Sequence, residues 1–263
     1  MRLEVISKQP TTKNPRPTPV LFIHGLFAGS WCWTEHFTDY FAARGYSAHA
    51  LSLRGHGKSE GREGLRWIRL ADYVDDVAQV VAQLPAPPVL IGHSYGGAII
   101  QKYLETRTAP AAVLLASVPP QGILLTALRT ARRHPLQFLK ANLFMSLYPL
   151  VSTPALAREA FFSVRLSEEK VRGYQARMTD ESFMGFLDML FLNLPKPERI
   201  TTAMLVMGAA NDAYLRPAQV EATARAYHTQ AILFPNMGHA MMLEEGWEDV
   251  AEKILSWLNE KGL

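Results

Sequence analysis

Five consecutive residues, Gly92-His93-Ser94-Tyr95-Gly96, have the spacing G-x-S-x-G. A serine in that setting can attack an electrophilic carbon if it stands at a sharp strand-to-helix turn with its hydroxyl exposed. The flanks fit. Val89, Leu90 and Ile91 form a short apolar run suited to a buried parallel strand, and helical spacing begins at Gly97. Gly92 and Gly96 have no Cβ, so strand and helix can pass close beside the turn. The helix start directs N–H groups and a positive dipole end at Ser94, which favours an oxyanion there. The competing reading is a glycine-rich turn without chemistry, because a bare five-residue pattern is common. Two cofactor motifs fail on spelling. A dinucleotide fingerprint needs glycine where Ser94 stands, and Gly57-Lys58-Ser59 has Ser52 where a phosphate loop needs its first glycine.

A serine hydroxyl is a weak nucleophile until a base takes its proton, and the base must be oriented by an acid. After a nucleophile of this type the expected chain order is Asp or Glu, then His. Asp212 follows the apolar run 203–207, and His239 follows the run 231–234. Singly, Asp212 reads equally well as a turn or cap residue ahead of Pro217, and His239 as an ordinary loop residue. Jointly, in this order after these runs, they read as acid and base. Asp72, Asp75 and Asp76 look like a solvated helix face with a cap, and Asp180 and Asp188 fall in a helical insertion. His24 is expected to brace its loop and His93 to point away from Ser94. His36, His49, His134 and His228 read as surface or structural residues. No clustered Cys/His spacing is present, so neither a metal nor a cofactor is expected. Charge developing on a tetrahedral intermediate needs preorganised donors, worth roughly 3–4 kcal/mol each. The N–H of Tyr95 is one candidate, and the N–H of Leu26 the other, with that of Phe27 as its alternative.

These groups need a scaffold that brings strand ends to one rim. Strands are expected at 19–23, 48–53, 89–91, 112–117, 203–207 and 231–234, after a short strand-like piece containing Leu3 and Val5. Helices fall between them. One buries Phe37, Tyr40 and Phe41 and stops at Gly45; another, 70–84, buries Val74, Val77, Val81 and Leu84. The last buries Trp247, Val250, Ile254 and Leu258. Such alternation means a mostly parallel sheet with helices on both faces. Residues 121–199 break the pattern with helix-like segments only. The expectation is an α/β core formed by 1–120 and 200–263, with 121–199 a helical lid over the strands' C-terminal ends, where ligands sit in open α/β sheets.

Length and composition allow one such domain: 263 residues, 48% apolar and 19% charged. The formal net charge of +3 is dispersed and carries no recognition motif, so nucleic acid is not an expected partner. Cys32, the single cysteine, reads as a small buried hydrophobe. Residues 1–19 hold no apolar signal core, and no run is long enough to span a bilayer. A cytoplasmic protein is expected, of undetermined oligomeric state.

His24-Gly25, Arg54-Gly55-His56-Gly57-Lys58-Ser59, Gly92-His93-Ser94-Tyr95-Gly96-Gly97, Asp212 and Gly238-His239 together resemble the α/β-hydrolase superfamily. More narrowly they resemble its capped serine esterases, lysophospholipases and monoacylglycerol-lipase-like members. The resemblance covers nearly the whole chain outside the lid. It implies Ser94 as nucleophile, His239 as base, Asp212 as orienting acid, and Leu26 and Tyr95 as oxyanion donors. Dehalogenases and epoxide hydrolases of this fold use an aspartate nucleophile, against which Ser94 argues. The family's usual extra N-terminal strands are curtailed here.

Substrate choice would lie in the lid. Its apolar residues, among them Phe138, Leu147, Phe183 and Phe186, are expected mostly to pack on one another, with a surplus forming a greasy pocket. Phe27, Phe144, Met145 and Met241 are the candidates for contact with substrate. Arg129, Arg132, Arg133 and His134 form a basic run, read as a solvated face rather than an anion site. The expected activity is hydrolysis of small-molecule carboxylic esters with an apolar acyl or alcohol part, through an acyl-serine. Thioester or lactone hydrolysis and cofactor-free perhydrolysis on the same three residues are alternatives, and so is a ligand-binding receptor or scaffold without turnover.

Overall fold

The computed structural model describes residues 1–263. Its strands are β1 (Glu4–Lys8), β2 (Val20–Ile23), β3 (Ala48–Ser52), β4 (Val89–His93), β5 (Ala112–Leu115), β6 (Met204–Ala209) and β7 (Ala231–Phe234). They form one sheet in the order β1-β3-β2-β4-β5-β6-β7, antiparallel only where β1 joins β3. Every residue of β2 to β6 is buried, on both faces of the pleat. That is why these strands read as unbroken apolar runs rather than alternating ones. The edges β1 and β7 are only half-buried.

The helices are α1 (Trp31–Thr34), α2 (Phe37–Ala42), α3 (Leu70–Val81), α4 (Tyr95–Leu104), α5 (Leu124–Arg133), α6 (Pro135–Phe144), α7 (Pro154–Phe161), α8 (Glu168–Gln175), α9 (Phe183–Leu187), α10 (Pro217–Ala226) and α11 (Trp247–Glu260). No helix is long and apolar enough to cross a membrane. Between β5 and β6 the chain forms helices and turns but no strand, and α9 runs on into a π-helical turn over Asp188–Leu192. Local chemistry starts three of these helices. The hydroxyls of Thr153, Ser167 and Ser182 accept the N–H groups of Leu156, Lys170 and Gly185 at 3.2, 3.2 and 3.0 Å, the usual N-cap arrangement.

The helical segment is pinned to the start of α3 by polar contacts. Asp188, fully buried, accepts two bonds from the Arg69 guanidinium and a third from the Leu70 N–H at 2.9 Å. The Ser182 hydroxyl donates to the Ile68 carbonyl. Asp76 departs from the solvated helix face expected of it: it is fully buried and pairs with Arg54 at 2.7 Å. Its position on α3 faces inward beside Tyr73 and Val77, which a hydropathy pattern scores as a break in the apolar stripe.

Candidate active site

The turn between β4 and α4 puts Ser94 at φ 50° and ψ −114°, a backbone conformation that L-residues avoid. Neighbouring backbone makes the turn possible only for glycine at two positions. A Cβ on Gly92 would stand 2.6 Å from the Gly96 carbonyl oxygen, and one on Gly96 would stand 2.3 Å from the Ile23 carbonyl oxygen. Ser94 is held by its main chain, its N–H donating to Leu115 O at 3.0 Å and its carbonyl accepting from Gly97 and Val118. Its hydroxyl forms no hydrogen bond within the protein and borders a cavity that His239 also borders.

His239 arrives from the loop after β7 and is 2% exposed. Its Nδ1 lies 2.6 Å from Asp212 Oδ2, in the loop after β6. The other Asp212 oxygen accepts the N–H groups of Tyr214 and Leu215, both at 2.8 Å. With the carboxylate so committed, Nδ1 carries the proton and Nε2 is left as the free basic nitrogen. Asp212 and His239 thus pair, and Ser94 borders the same cavity as His239 at the C-terminal rim of the sheet, where open α/β sheets place ligands.

Second contacts fix the imidazole. The His239 carbonyl accepts from His93 Nε2 and from the Met241 N–H, each at 2.9 Å. Glu244, 1% exposed, accepts the Gly238 N–H at 3.1 Å and the Ser163 hydroxyl at 2.7 Å, tying the His239 loop to the helical segment. The rings of Phe161 and Tyr214 stand 5.5 and 5.9 Å from that of His239. Glu244 and Phe161 gave no sequence signal. A carboxylate on a short 3-10 turn and an aromatic in a helix look ordinary until the fold juxtaposes them.

Beneath the loop after β2 lies a second buried polar group. His24 Nε2 accepts the Leu53 N–H at 3.1 Å while its Nδ1 donates to Gly25 O at 2.8 Å, so the ring braces the loop in its neutral form. Burial, with repulsion from His56, lowers its pKa to about 3. His56 in turn meets Glu181 at 3.2 Å, and Tyr73 donates to the same carboxylate at 2.8 Å. The N–H groups of Leu26 and Phe27 find no acceptor in the chain, and neither does that of Tyr95 at the start of α4. Phe27 adopts φ 65° while its carbonyl accepts the Thr179 N–H at 3.0 Å.

The cavity over Ser94 has a volume of about 50 Å³. Leu26, Phe27, Val118, Ile123, Phe138, Leu147, Leu150, Phe161, Phe186 and Tyr214 surround it. Phe144, Met145 and Met241 do not, contrary to expectation. Phe144 is 59% exposed on the outer side of α6, Met145 ends that helix in a left-handed turn, and Met241 is fully buried in the core beneath His239. Adjacent residues on a helix point about 100° apart, so an apolar stretch cannot by itself say which members face the site. In the basic run Arg132 and Arg133 are exposed, as a solvated face requires, and Arg129, Arg132, Arg133 and His134 border a neighbouring concavity of about 450 Å³. No group of three or more His, Cys, Asp or Glu side chains is placed to hold a metal ion.

The sequence model of the alpha/beta hydrolase family matches residues 20–253. A pyrethroid hydrolase of Sphingobium wenxiniae is 34% identical over 83 residues, covering 32% of this chain and 29% of that protein. A bifunctional esterase/perhydrolase of Acinetobacter calcoaceticus is 34% identical over 116 residues, 41% of this chain and 40% of that protein. The matched part therefore spans about two-fifths or less of these relatives. The crystal structure of a monoacylglycerol lipase of Paleococcus ferrophilus superposes with a TM-score of 0.74 at 20% identity, covering 99% of this chain and all of that one.

Proposed function

The chain belongs to the alpha/beta hydrolase family, and we propose that it is a serine hydrolase cleaving carboxylic esters with an apolar acyl part. One observation carries the reading: His239 holds Asp212 through Nδ1 at 2.6 Å while Ser94 and His239 border the same apolar cavity. In this reading Ser94 Oγ attacks the ester carbonyl carbon and its proton passes to His239 Nε2. Asp212 keeps the ring in the correct tautomer and stabilises the imidazolium. The carbonyl oxygen, now negative, is received by the N–H groups of Tyr95 and Leu26. The C–O bond to the alcohol breaks as His239 returns the proton to the leaving oxygen. Water, deprotonated by His239, then releases the acid from Ser94 and restores the hydroxyl. Residues 121–199 act as the lid that closes the acyl cavity.

Ser94→Ala tests this directly: turnover of p-nitrophenyl butyrate is expected to fall by at least a thousandfold with the fold intact. A variant with undiminished turnover would refute it. The likeness to an esterase/perhydrolase favours a second reaction on the same acyl-serine. Hydrogen peroxide would replace water as the attacking nucleophile, breaking the acyl–Oγ bond so that the acyl group leaves as a peracid and Ser94 regains its hydroxyl. Rates measured side by side with and without peroxide separate the two.

A further inference from the structure

We infer that the ester taken by this site carries an anionic group, a carboxylate or phosphate, which binds in the arginine-lined cavity beside the acyl cavity. The inference rests on the hydrolase reading and adds to it the chemical class of the substrate. The two cavities share a wall: Thr126, Thr130, Leu150 and Tyr214 line both. Tyr214 is the partition, held on one side by Asp212, which accepts its N–H at 2.8 Å. On the other side its carbonyl accepts the Thr126 hydroxyl at 3.0 Å and an Arg129 N–H at 2.9 Å. The guanidinium groups therefore lie just across a shared wall from Ser94, within reach of the anionic end of an ester that extends around Tyr214.

The charge of that region is lopsided. Four arginines and His134 line it against the single carboxylate of Glu159. Glu159 is already engaged by Arg133 and His134. Arg129, Arg132 and Arg216 pair with no carboxylate. Solvated arginines scattered on a helix need no partner, but here three converge on a concavity of about 450 Å³, a volume typical of small-ligand sites. Guanidinium forks match carboxylate and phosphate oxygens bidentately. Burial and the nearby Arg216 lower the proton affinity of Arg129 despite an opposing pull from Asp212, a repulsion that a bound anion would relieve. By contrast, the acyl cavity of about 50 Å³ exposes almost no polar surface and offers no second anchor for a charged end.

The test compares four short-chain esters in two pairs: neutral 1-butyrylglycerol with 1-butyrylglycerol 3-phosphate, and neutral p-nitrophenyl butyrate with the mono-p-nitrophenyl ester of glutaric acid. The specificity constant of at least one anionic ester is expected to exceed that of its neutral counterpart tenfold or more. The better of the two identifies phosphate or carboxylate. That ratio is expected to collapse in the exposed double variant Arg132→Gln/Arg216→Gln, and to shrink in the unmodified protein as salt is raised to 0.5 M. Calorimetry on the Ser94→Ala protein with the same phosphate ester reads binding without turnover. Neutral esters cleaved as well as both anionic ones, or an anionic preference that survives the double variant, would overturn the inference while leaving ester hydrolysis standing. Loss of all turnover together with retained phosphate-ester binding would overturn the hydrolase reading instead.

Discussion

His93 donates from Nε2 to the main-chain carbonyl of His239 across 2.9 Å, so the residue before Ser94 anchors the loop that carries His239. Both rings are buried, with centroids 4.7 Å apart. The contact couples the end of β4 to the loop after β7, two strands that are not neighbours in the sheet.

Removing that donor should loosen the base rather than unmake the site, since the Met241 N–H still bonds the same carbonyl. A lost neutral hydrogen bond costs about 1–2 kcal/mol, which corresponds to roughly a 5–30-fold fall in kcat. His93→Ala is expected to show that fall with KM little changed, and His93→Gln, which keeps a donor, to regain much of it. Identical kinetics in both variants would show that the contact does not position the base.

The aromatic closure of the acyl cavity predicts selectivity. At about 50 Å³, the space above Ser94 suits a short acyl group. Phe138→Ala should move the optimum on a p-nitrophenyl ester series toward longer chains. An unchanged chain-length profile would place the acyl group elsewhere.

Arg69 and Asp188 hold the helical segment to the start of α3. Asp188 is fully buried while Arg69 is 43% exposed, so the guanidinium is partly screened and the pair is worth less than a wholly buried one. Arg69→Ala leaves a buried carboxylate with only the Leu70 N–H, at a cost of roughly 1–3 kcal/mol. For a chain of this size that is a drop in Tm of about 2–10 °C. A Tm unchanged by the substitution would contradict the anchoring role.

Stability should fall on the acid side of neutrality. Burial, with His56 adding repulsion, lowers His24 to about 3. Burial with His239 beside it lowers His93 well below 6.5. An unfolded chain takes up both protons near pH 6.5 while the folded one refuses them, so the unfolded state gains as pH drops from there toward 3. Each imidazole contributes a slope of up to about 1.4 kcal/mol per pH unit. Glu181 acts lower: burial favours its neutral form, but His56, the Ser182 N–H and Tyr73 hold it below the ordinary carboxylate value. Its contribution is present above about pH 4.3 and fades as pH falls through its lowered value. Urea midpoints from pH 7.5 to 4 should therefore decline from about 6.5 downward, less steeply in His93→Gln. A flat profile would mean that these histidines titrate in the folded protein.

Ser94, Asp212 and His239 stood out in the sequence because each sits in the turn or loop that follows an apolar run, and strand ends of a parallel sheet share one rim. The strands were legible for the same reason: burial on both faces leaves no polar interruption. What was not legible depended on side-chain direction. Met241 looked like a pocket residue because it neighbours His239, yet the 3-10 turn rotates it into the core. Arg132 is exposed, as expected of a solvated face, but a helix alone does not reveal that Arg216, 84 residues after Arg132, borders the same concavity. Asp76 looked like surface because its partner, Arg54, lies outside α3, on the loop after β3.

The central claim, that Ser94 is the nucleophile, is tested most directly by treating the protein with a fluorophosphonate and locating the adduct by peptide mass spectrometry. One adduct is expected, on the peptide containing Ser94, absent in Ser94→Ala and strongly slowed in His239→Ala, with both variants folded. A folded protein that takes no label, or takes it on another residue, would contradict the account.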